Sequence, residues 1–470
     1  MTLPQEISSI AEAYASDGQL FEELKRLVSY QTESATAAGR IALKAYLEDV
    51  LVPALAELGC DTELHPHWNG GTNSFLVGTR FESEELPTVL CYGHADVVGG
   101  QDDGWDDDRS PWILAADGDR WYGRGTADNK GQHLINLAAL RILLKSNGHL
   151  GFNLKFLFEC GEEIGSPSLD EFSSVNKDKL AADVFIASDG PRLSADSPTI
   201  FLGSRGGITF ELDVNLRSGS YHSGNWGGLL RNPGTTLAAA IGTLIDGHGR
   251  ILLPELLPTN IPESVQTALS NIAIPHAPGD PHIDTDWADT GLTPAERLYG
   301  WNALEVLALG SGDIGAPIHA IPGSARAILQ LRFVAGTPTD TVEDTIQAHL
   351  DRHGFEMVRV RQTTFFPASR LDPANPWVEW ARRSIHNTTG IQPTVLPNIG
   401  GSLPNHVFEG ILGLPTLWIP HSYPGCLQHA PNEHMLASIA SQGLQIACGL
   451  FYDLGQTGVN AELPLSATTA

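Results

Sequence analysis

Residues 154–163 read Leu154-Lys155-Phe156-Leu157-Phe158-Glu159-Cys160-Gly161-Glu162-Glu163, and the predicted fold is built outward from them. The apolar side chains alternate as in a buried strand, and Gly161 interrupts the run just before two acids. Open α/β sheets bind ligands outside the carboxyl ends of their strands. Because adjacent residues leaving a strand point in different directions, Glu162 and Glu163 can do separate jobs, one binding a metal and the other moving a proton.

Other apolar runs of the chain end on acids or histidine in the same way. A run that starts at Thr88 finishes on His94 and Asp96, which lie on one side of an extended segment because they are two residues apart. A later run ends on Asp189 before a Gly-Pro turn, and Asp128 stands where a long helix begins. The alternation of strand and helix predicts a largely parallel sheet with right-handed crossovers.

The pattern changes after residue 204 to strands with one apolar and one polar face. Two helical segments lie between these strands, which predicts a smaller ferredoxin-like α+β unit inserted into the first domain. The predicted fold class is therefore α/β, with residues 1–204 and 371–470 forming the catalytic domain and residues 205–370 forming the insert. The Pro-rich segment 251–308 carries no clear pattern.

Composition restricts the partners and the compartment. The chain has 470 residues, a formal net charge of −27 and five scattered cysteines without a C-x-x-C pair. Such a negative charge repels nucleic acid and anionic membranes, so we expect neither as a partner. The chain has no 18-residue apolar stretch and no secretory leader pattern, and its cysteine usage is typical of a reduced compartment. We therefore expect a cytoplasmic protein.

The candidate residues share one chemical property, which is that their ligand atoms are nitrogen or oxygen and never sulfur. Such a set suits Zn²⁺, Mn²⁺ or Co²⁺. More than four candidates indicate two ions that share a water molecule, whose deprotonated form attacks an amide or an ester. A histidine late in the chain completes the set, and three candidates compete for that position, namely His421, His429 and His434.

Segments bearing these residues occur in a characteristic order along the chain. They are Gly93–Val98, Tyr122–Gly131, Gly161–Ser166, Ser188–Pro191 and His429–Glu433. Together they resemble the cocatalytic dinuclear metallopeptidase family, which includes carboxypeptidase G, acetylornithine deacetylase, succinyl-diaminopimelate desuccinylase, the dipeptidase PepV and carnosinase. The resemblance extends from about Leu20 to Tyr452 and implies the two-domain architecture and a peptidase-like activity.

The resemblance also implies roles for individual residues. It implies two divalent ions per chain, most suitably Zn²⁺, with Mn²⁺ or Co²⁺ as alternatives. The implied ligands are His94 and Asp189 for one metal, Glu163 and His429 for the other, and Asp128 as the bridge between them. By the same resemblance, Glu162 is the general base and Asp96 orients the imidazole of His94.

Two further segments, Tyr221–Gly228 and Gly400–Pro404, are most similar to carnosinase-type dipeptidases. The similarity implies a homodimer that forms through the insert, in which His222 of one chain stabilises the oxyanion in the partner's active site. The residues implied to hold the free carboxylate of the substrate are Arg332, Gly401 and Ser402. Leu403 stands where those enzymes have isoleucine, which leaves the substrate open.

The predicted function is that of a metallo-dipeptidase, a dinuclear metal-dependent hydrolase acting on amide bonds. It would cleave dipeptides or similar small substrates with a free carboxylate, through a metal-bridged water activated by Glu162. One alternative is an N-acyl amino acid deacylase or amidase that uses the same metal site. Another is a metal-bearing scaffold without activity, although a scaffold has no chemical need for a base beside its metals.

Overall fold

A computed structural model describes residues 3–106, 108–276 and 281–457 of the chain. The chain divides into two compact units. Unit 1 comprises Met1–Gly203, Leu371–Leu396 and Pro404–Ala470, and unit 2 comprises Ser204–Arg370 and Pro397–Leu403. Each unit has its own cluster of buried apolar side chains.

The helices account for much of the described chain. In chain order they are α1 (Gln5–Ser16), α2 (Gln19–Val28), α3 (Ala37–Tyr46), α4 (Val52–Glu57), α5 (Lys130–Asn147), α6 (Leu169–Val175), α7 (Lys177–Leu180), α8 (Ser223–Trp226), α9 (Pro233–Leu244), α10 (Glu263–Leu269), α11 (Pro294–Tyr299), α12 (Val342–Arg352), α13 (Pro376–Thr389) and α14 (Ala437–Thr457). A π-helical turn at Leu47–Leu51 joins α3 to α4.

The strands are mostly short. In chain order they are β1 (Asp61–His65), β2 (Phe75–Arg80), β3 (Thr88–His94), β4 (Ala115–Asp117), β5 (Arg120–Tyr122), β6 (Asn153–Glu159), β7 (Val184–Ala187), β8 (Thr199–Phe201), β9 (Gly203–Ser204), β10 (Gly206–Asn215), β11 (Tyr221–His222), β12 (Ala303–Gly310), β13 (Ala320–Ile321), β14 (Ser324–Phe333), β15 (Val358–Phe366), β16 (Ser369–Arg370), β17 (Thr394–Leu396), β18 (Thr416–Trp418) and β19 (His434–Leu436). The apolar run that precedes Glu162 and Glu163 in the sequence forms β6.

Unit 1 is organised around a mixed sheet with the strand order β1-β2-β6-β3-β7-β18-β8-β17. The central strands β6, β3, β7 and β18 are parallel to their neighbours within this group. Almost every residue of β3, β6 and β7 is buried, as expected for parallel strands that are covered on both faces. The predicted fold class, α/β with a largely parallel sheet, is confirmed.

The long helix α5 packs against the sheet of unit 1. Nearly all of its first ten residues are buried, and it packs against β3 and against the last helix, α14. It begins at Lys130, directly after Asp128 and Asn129, and ends before Gly148, which adopts the left-handed conformation (φ 77°) that suits glycine. Asp128 therefore lies at the positive end of a buried helix, where negative charge is favoured.

Unit 2 follows the order β10-α9-β12-β14-α12-β15, which is the ferredoxin-like βαββαβ arrangement predicted from the sequence. Its antiparallel sheet has the strand order β12-β14-β10-β15, and α9 and α12 pack on the apolar face. The edge strand β12 belongs to the Pro-rich segment that carried no sequence pattern. It exposes Val306, Leu307 and Leu309, which are 41%, 56% and 49% accessible.

No helix in the described ranges 3–106, 108–276 and 281–457 has the length and apolar character needed to span a membrane. The five cysteines are buried and none forms a disulfide.

Candidate functional site

Three neighbouring strands of unit 1 deliver polar side chains to one edge of the sheet. His94 is the last residue of β3, and β6 is followed by a 3₁₀ turn at Glu162–Ile164 that carries both acids. Asp189 comes two residues after the end of β7. Because these strands are parallel and adjacent, their carboxyl ends lie side by side, as the sequence predicted.

Asp128 stands at the centre of the group, and its side chain is only 5% exposed. Its Oδ1 atom lies 2.8 Å from Nε2 of His94. Its Oδ2 atom lies 3.0 Å from Nε2 of His429. The two oxygens of one carboxylate therefore face two different histidines, which is the arrangement that a bridging ligand requires.

A second acid accompanies each histidine. Asp189 Oδ2 lies 3.6 Å from Nε2 of His94, and Glu163 Oε2 lies 3.2 Å from Nε2 of His429. The five side chains thus form two sets that share Asp128. The Oδ2 atom of Asp189 is buried without a hydrogen-bond partner among the described residues, although a buried carboxylate oxygen normally has one.

These residues fit divalent metal ions. Ligand atoms of His94, Asp128 and Glu163 all lie within 4.8 Å of one another. Donors about 2.0–2.2 Å from one tetrahedral ion are about 3.3–3.6 Å apart, which is close to the separations in each set. A cation between His94 and Asp189 would also give the unpartnered oxygen of Asp189 a partner.

The electrostatics of the cluster also favours the binding of cations. Burial, together with the nearby charge of Asp128, raises the pKa of Glu163 and of Asp189 to about 7. Burial alone would also raise the pKa of Asp128, but hydrogen bonds with His429 and His94 hold it far below its usual range. Hydrogen bonds with Asp128 and Glu163 raise the pKa of His429 to about 10. The cluster therefore stabilises positive charge among its carboxylates.

Asp96 supports both the acidic turn and His94. Its carboxylate oxygens accept hydrogen bonds from the backbone N–H groups of Glu162, at 3.2 Å, and Glu163, at 3.1 Å. Nδ1 of His94 lies 3.0 Å from the backbone carbonyl oxygen of Asp96 and 3.4 Å from its carboxylate. Geometrically, the carboxylate of Asp96 holds the turn that carries Glu162, and the carbonyl makes the shorter contact with His94.

The structure separates the three histidines that compete near the end of the chain. Nε2 of His434 lies 2.6 Å from the hydroxyl of Tyr423, and its Nδ1 lies 2.9 Å from the carbonyl of Asn432. His421 is fully buried, and its ring packs so closely on Gly443 that a Cβ atom there would lie 2.7 Å from Nδ1. Of these histidines, His429 is the one whose ring faces Asp128.

His429 is presented by an unusual turn. Its φ angle is 62°, and Leu427 and Asn432 have φ angles of 57° and 62°. Residues other than glycine rarely adopt this left-handed backbone conformation, and those that do are concentrated at functional sites. The His429 side chain is 53% exposed, so the cluster opens to solvent on this side.

Glu433, the last residue of the His429 segment, received no role from the sequence. It is 1% exposed, and its carboxylate accepts hydrogen bonds from the backbone N–H groups of Gly125, Ala127 and Asp128 and from the guanidinium of Arg124. The signal that could have found it is its place at the end of the His429–Glu433 segment, because a full charge buried beside a candidate ligand requires a partner. Gln428, which donates a hydrogen bond to Oδ2 of Asp128, was missed as well.

The predicted carboxylate-binding residues lie in unit 2. Nη1 of Arg332 donates to Oγ of Ser402 at 3.2 Å, and Nε donates to Oε1 of Gln330 at 3.0 Å. Gly401 is exposed, and a Cβ atom there would meet no described heavy atom within 4 Å. Arg205 was missed by the sequence analysis; it is buried, and its guanidinium donates to the backbone carbonyl of Arg332.

His222 is an exposed residue of unit 2. It ends β11, which pairs with β13, and it precedes the short helix α8. Its Nδ1 atom accepts a hydrogen bond from the backbone N–H of Gly224 at 3.1 Å. A neutral imidazole that accepts through Nδ1 carries its proton on Nε2, so His222 can donate a hydrogen bond from that atom.

Comparisons with known proteins identify relatives of this chain. The sequence model described as peptidase family M20/M25/M40 matches residues 90–453. A β-Ala-His dipeptidase of Mus musculus is 28% identical over 410 residues, which cover 83% of this chain and 82% of the relative. A cysteinylglycine-S-conjugate dipeptidase of Corynebacterium striatum is 26% identical, with 82% and 84% covered. The crystal structure of human carnosine dipeptidase 1 has the same fold, with a TM-score of 0.74, 23% identity and coverage of 97% and 99%.

Proposed function

The chain belongs to peptidase family M20/M25/M40, and from that premise we propose that it is a dinuclear metallo-dipeptidase. It would hydrolyse the amide bond of dipeptides or similar small substrates that have a free carboxylate. The observation that carries the proposal is Asp128, whose two carboxylate oxygens face His94 and His429 separately. The names of the two relatives, both dipeptidases, support the choice of substrate class.

Contacts within unit 1 support two ligand sets. His94 and Asp189 would hold one ion, Glu163 and His429 would hold the other, and Asp128 would bind both. Zn²⁺ suits this mixture of imidazole and carboxylate best, and Mn²⁺ or Co²⁺ can replace it. Divalent ions at such a site polarise the carbonyl of the scissile bond and lower the pKa of water.

Glu162 would be the general base. It shares its turn with Glu163, but its side chain makes no ion pair with a histidine among the described residues, which leaves it for proton transfer. It would accept a proton from the water that attacks the carbonyl carbon. As the C–N bond breaks, it would return that proton to the leaving amine, so that a dipeptide yields two amino acids. Asp96 would keep Glu162 in place through its hydrogen bond to the backbone N–H.

The residues proposed to hold the free carboxylate of the substrate lie in unit 2. Arg332 and Ser402 are already in contact, and a guanidinium beside a hydroxyl suits the planar carboxylate of a peptide C-terminus. Gly401 would allow the substrate to approach the backbone closely. We propose residues 205–370 as the lid and dimerisation domain, and residues 1–204 and 371–470 as the catalytic domain.

The proposed assembly is a homodimer formed through unit 2. The edge strand β12 supports this, because Val306, Leu307 and Leu309 are exposed and an open apolar edge tends to be covered. In the dimer, His222 would donate from Nε2 to the oxyanion that develops in the partner's active site. We also propose a cytoplasmic location, which agrees with five unpaired cysteines.

The test is a turnover panel on protein stripped of metal with a chelator and reloaded with Zn²⁺, Mn²⁺ or Co²⁺. Dipeptides, N-acyl amino acids and amides without a carboxylate would be compared at equal concentration. We expect hydrolysis of dipeptides that depends on metal and on the free carboxylate. A preference for N-acyl amino acids would instead identify a deacylase, and full activity without metal would contradict the proposal.

A further inference from the structure

Two segments of unit 1 that are distant in sequence meet at the carboxylate of Glu433. One is the loop from Arg124 to Asp128, and the other is the turn that carries His429. We propose that Glu433 is a positioning residue that sets the separation of Asp128 and His429, so that both metal ions depend on it. This inference deepens the proposed function and rests on it.

The hydrogen bonds of Glu433 fix the backbone that leads into Asp128. Its Oε1 atom accepts from the N–H groups of Gly125 at 3.1 Å, Ala127 at 2.9 Å and Asp128 at 3.2 Å. None of these contacts uses the carboxylate of Asp128, which stays available to metal ions. Three donors converging on one oxygen leave the loop little freedom to move relative to Glu433.

The segment between Glu433 and His429 is short, and the backbone of Glu433 is itself held in place. The backbone carbonyl of Glu433 accepts from the N–H of Gly123 at 3.0 Å, and the next residue begins β19, which pairs with β5. Glu433 is therefore anchored by its own backbone as well as by its side chain. Only three residues separate it from His429, so a displacement of Glu433 would move the histidine together with the loop.

Charge makes Glu433 difficult to replace. Arg124 is fully buried, and among the described residues Nη1 is the only nitrogen of its guanidinium with a hydrogen-bond partner, which is Oε2 of Glu433 at 2.7 Å. A glutamine at position 433 would have to turn its amide nitrogen either toward the three backbone N–H donors or toward the guanidinium. Either orientation sets donor against donor, and the charge of Arg124 loses its counterion.

The expected consequence differs from that of losing an ordinary ligand. Removing Glu163 or Asp189 takes a donor from one ion, and the other ion keeps its own set. Removing Glu433 disturbs Asp128, which is common to both sets, and His429 as well. Loss of such a supporting hydrogen-bond partner typically weakens metal binding about 10–100-fold.

The experiment compares Glu433→Gln and Glu433→Asp with wild type and with a matched control, Glu82→Gln. Glu82 also accepts two backbone N–H groups, from Leu150 at 2.8 Å and Gly151 at 2.9 Å, together with Arg80, but it contacts none of the proposed ligands. Each protein is titrated with Zn²⁺ and Co²⁺ against a competing chelator. The readouts are the number of ions bound, their affinities, the Co²⁺ absorption spectrum, and the Tm of the metal-free protein.

We expect Glu433→Gln to bind both ions about 10–100-fold more weakly with an altered Co²⁺ spectrum, and Glu433→Asp to restore part of the affinity because it keeps the charge. The control Glu82→Gln should lower Tm without changing affinity. Unchanged affinities, or weakening of one ion alone, in folded Glu433→Gln would overturn the inference. If that variant does not fold, Glu433→Asp decides in the same way. A wild type that binds fewer than two ions would contradict the proposed function instead.

Discussion

The buried carboxylates proposed as metal ligands in unit 1 and the exposed His222 of unit 2, proposed to stabilise the oxyanion, are held in opposite ways. The side chains of Asp128 and Glu163 are 5% and 4% exposed, and each already contacts a histidine. His222 is exposed, and its ring is held through a hydrogen bond to the neighbouring residue Gly224. Buried charges that are already oriented lose little conformational entropy when a ligand binds, whereas exposed side chains lose entropy because they must still be ordered. Variants of the proposed metal ligands should therefore lose metal, whereas variants of the unit 2 residues should keep metal and lose turnover or substrate affinity.

The largest effect is expected from Asp128→Ala, which removes the carboxylate common to both ligand sets. Activity should fall below detection, and metal analysis should show that neither ion is retained in stoichiometric amount. Glu163→Ala and Asp189→Ala are the comparison, because each should weaken one ion and leave the other bound. Two ions per chain in Asp128→Ala would rule out the bridging role.

Glu162→Gln should separate chemistry from metal binding within unit 1. An amide cannot take the proton from water, so we expect turnover to fall about 10²–10⁴-fold while both ions remain bound. The measurement is steady-state kinetics together with metal content on the same preparation. Near-normal turnover would exclude Glu162 as the base and would require its role and that of Glu163 to be reassigned.

His222→Ala is the first test of unit 2. Loss of a hydrogen-bond donor to an oxyanion typically costs about 10²–10³-fold in turnover, and here metal content should stay at the wild-type level. If His222 serves the partner's site, mixing this variant with Glu162→Gln under conditions of subunit exchange should restore activity. A mixed dimer has one site with both residues intact, so random mixing should recover about a quarter of wild-type activity. Exchange without recovery would exclude the action of His222 across the dimer.

The smallest effect is expected from Arg332→Lys. Lysine keeps the charge but loses the two-pronged geometry that matches a carboxylate, so KM should rise about 10-fold while kcat and metal content change little. The matched control is Arg326→Lys on the same strand, β14, where the guanidinium pairs with Glu211. A drop in metal content in Arg332→Lys would contradict the proposal that the residues of unit 2 act on the substrate and not on the metal ions.

Much of the candidate site at the edge of the unit 1 sheet could be predicted because its signals are local. His94, Glu162, Glu163 and Asp189 each follow an apolar run, and the burial of such a run is visible in the sequence alone. Parallel strands also end at one edge, which brings those residues together before any contact is known. The ferredoxin-like unit was predictable for the same reason, since apolar and polar residues alternate from Ile208 to Val214 in β10 and buried residues alternate with more exposed ones along β14.

The remaining features depend on contacts that no local pattern reveals. The edge strand β12 was missed because a bulge between Val306 and Ala308 shifts its register and breaks the alternation. The choice among His421, His429 and His434 depends on a turn with several left-handed residues, whose direction spacing does not give. Glu433 was overlooked because three of its partners are backbone N–H groups, which carry no residue-type signature, and the fourth, Arg124, lies 309 positions away in the sequence.

The proposed site is assembled from segments that are far apart in the sequence, and this has a consequence for protein synthesis. Asp128 and His429 lie 301 positions apart, and α14, the last helix, packs against α1 and α5. At roughly 5–20 residues per second, a ribosome needs roughly 15–60 seconds to pass from one to the other. Throughout that interval the growing polypeptide carries the acids without their second histidine and without Glu433. The proposed metal site is therefore complete only after translation has passed Glu433, and a nascent chain abandoned earlier lacks both His429 and Glu433.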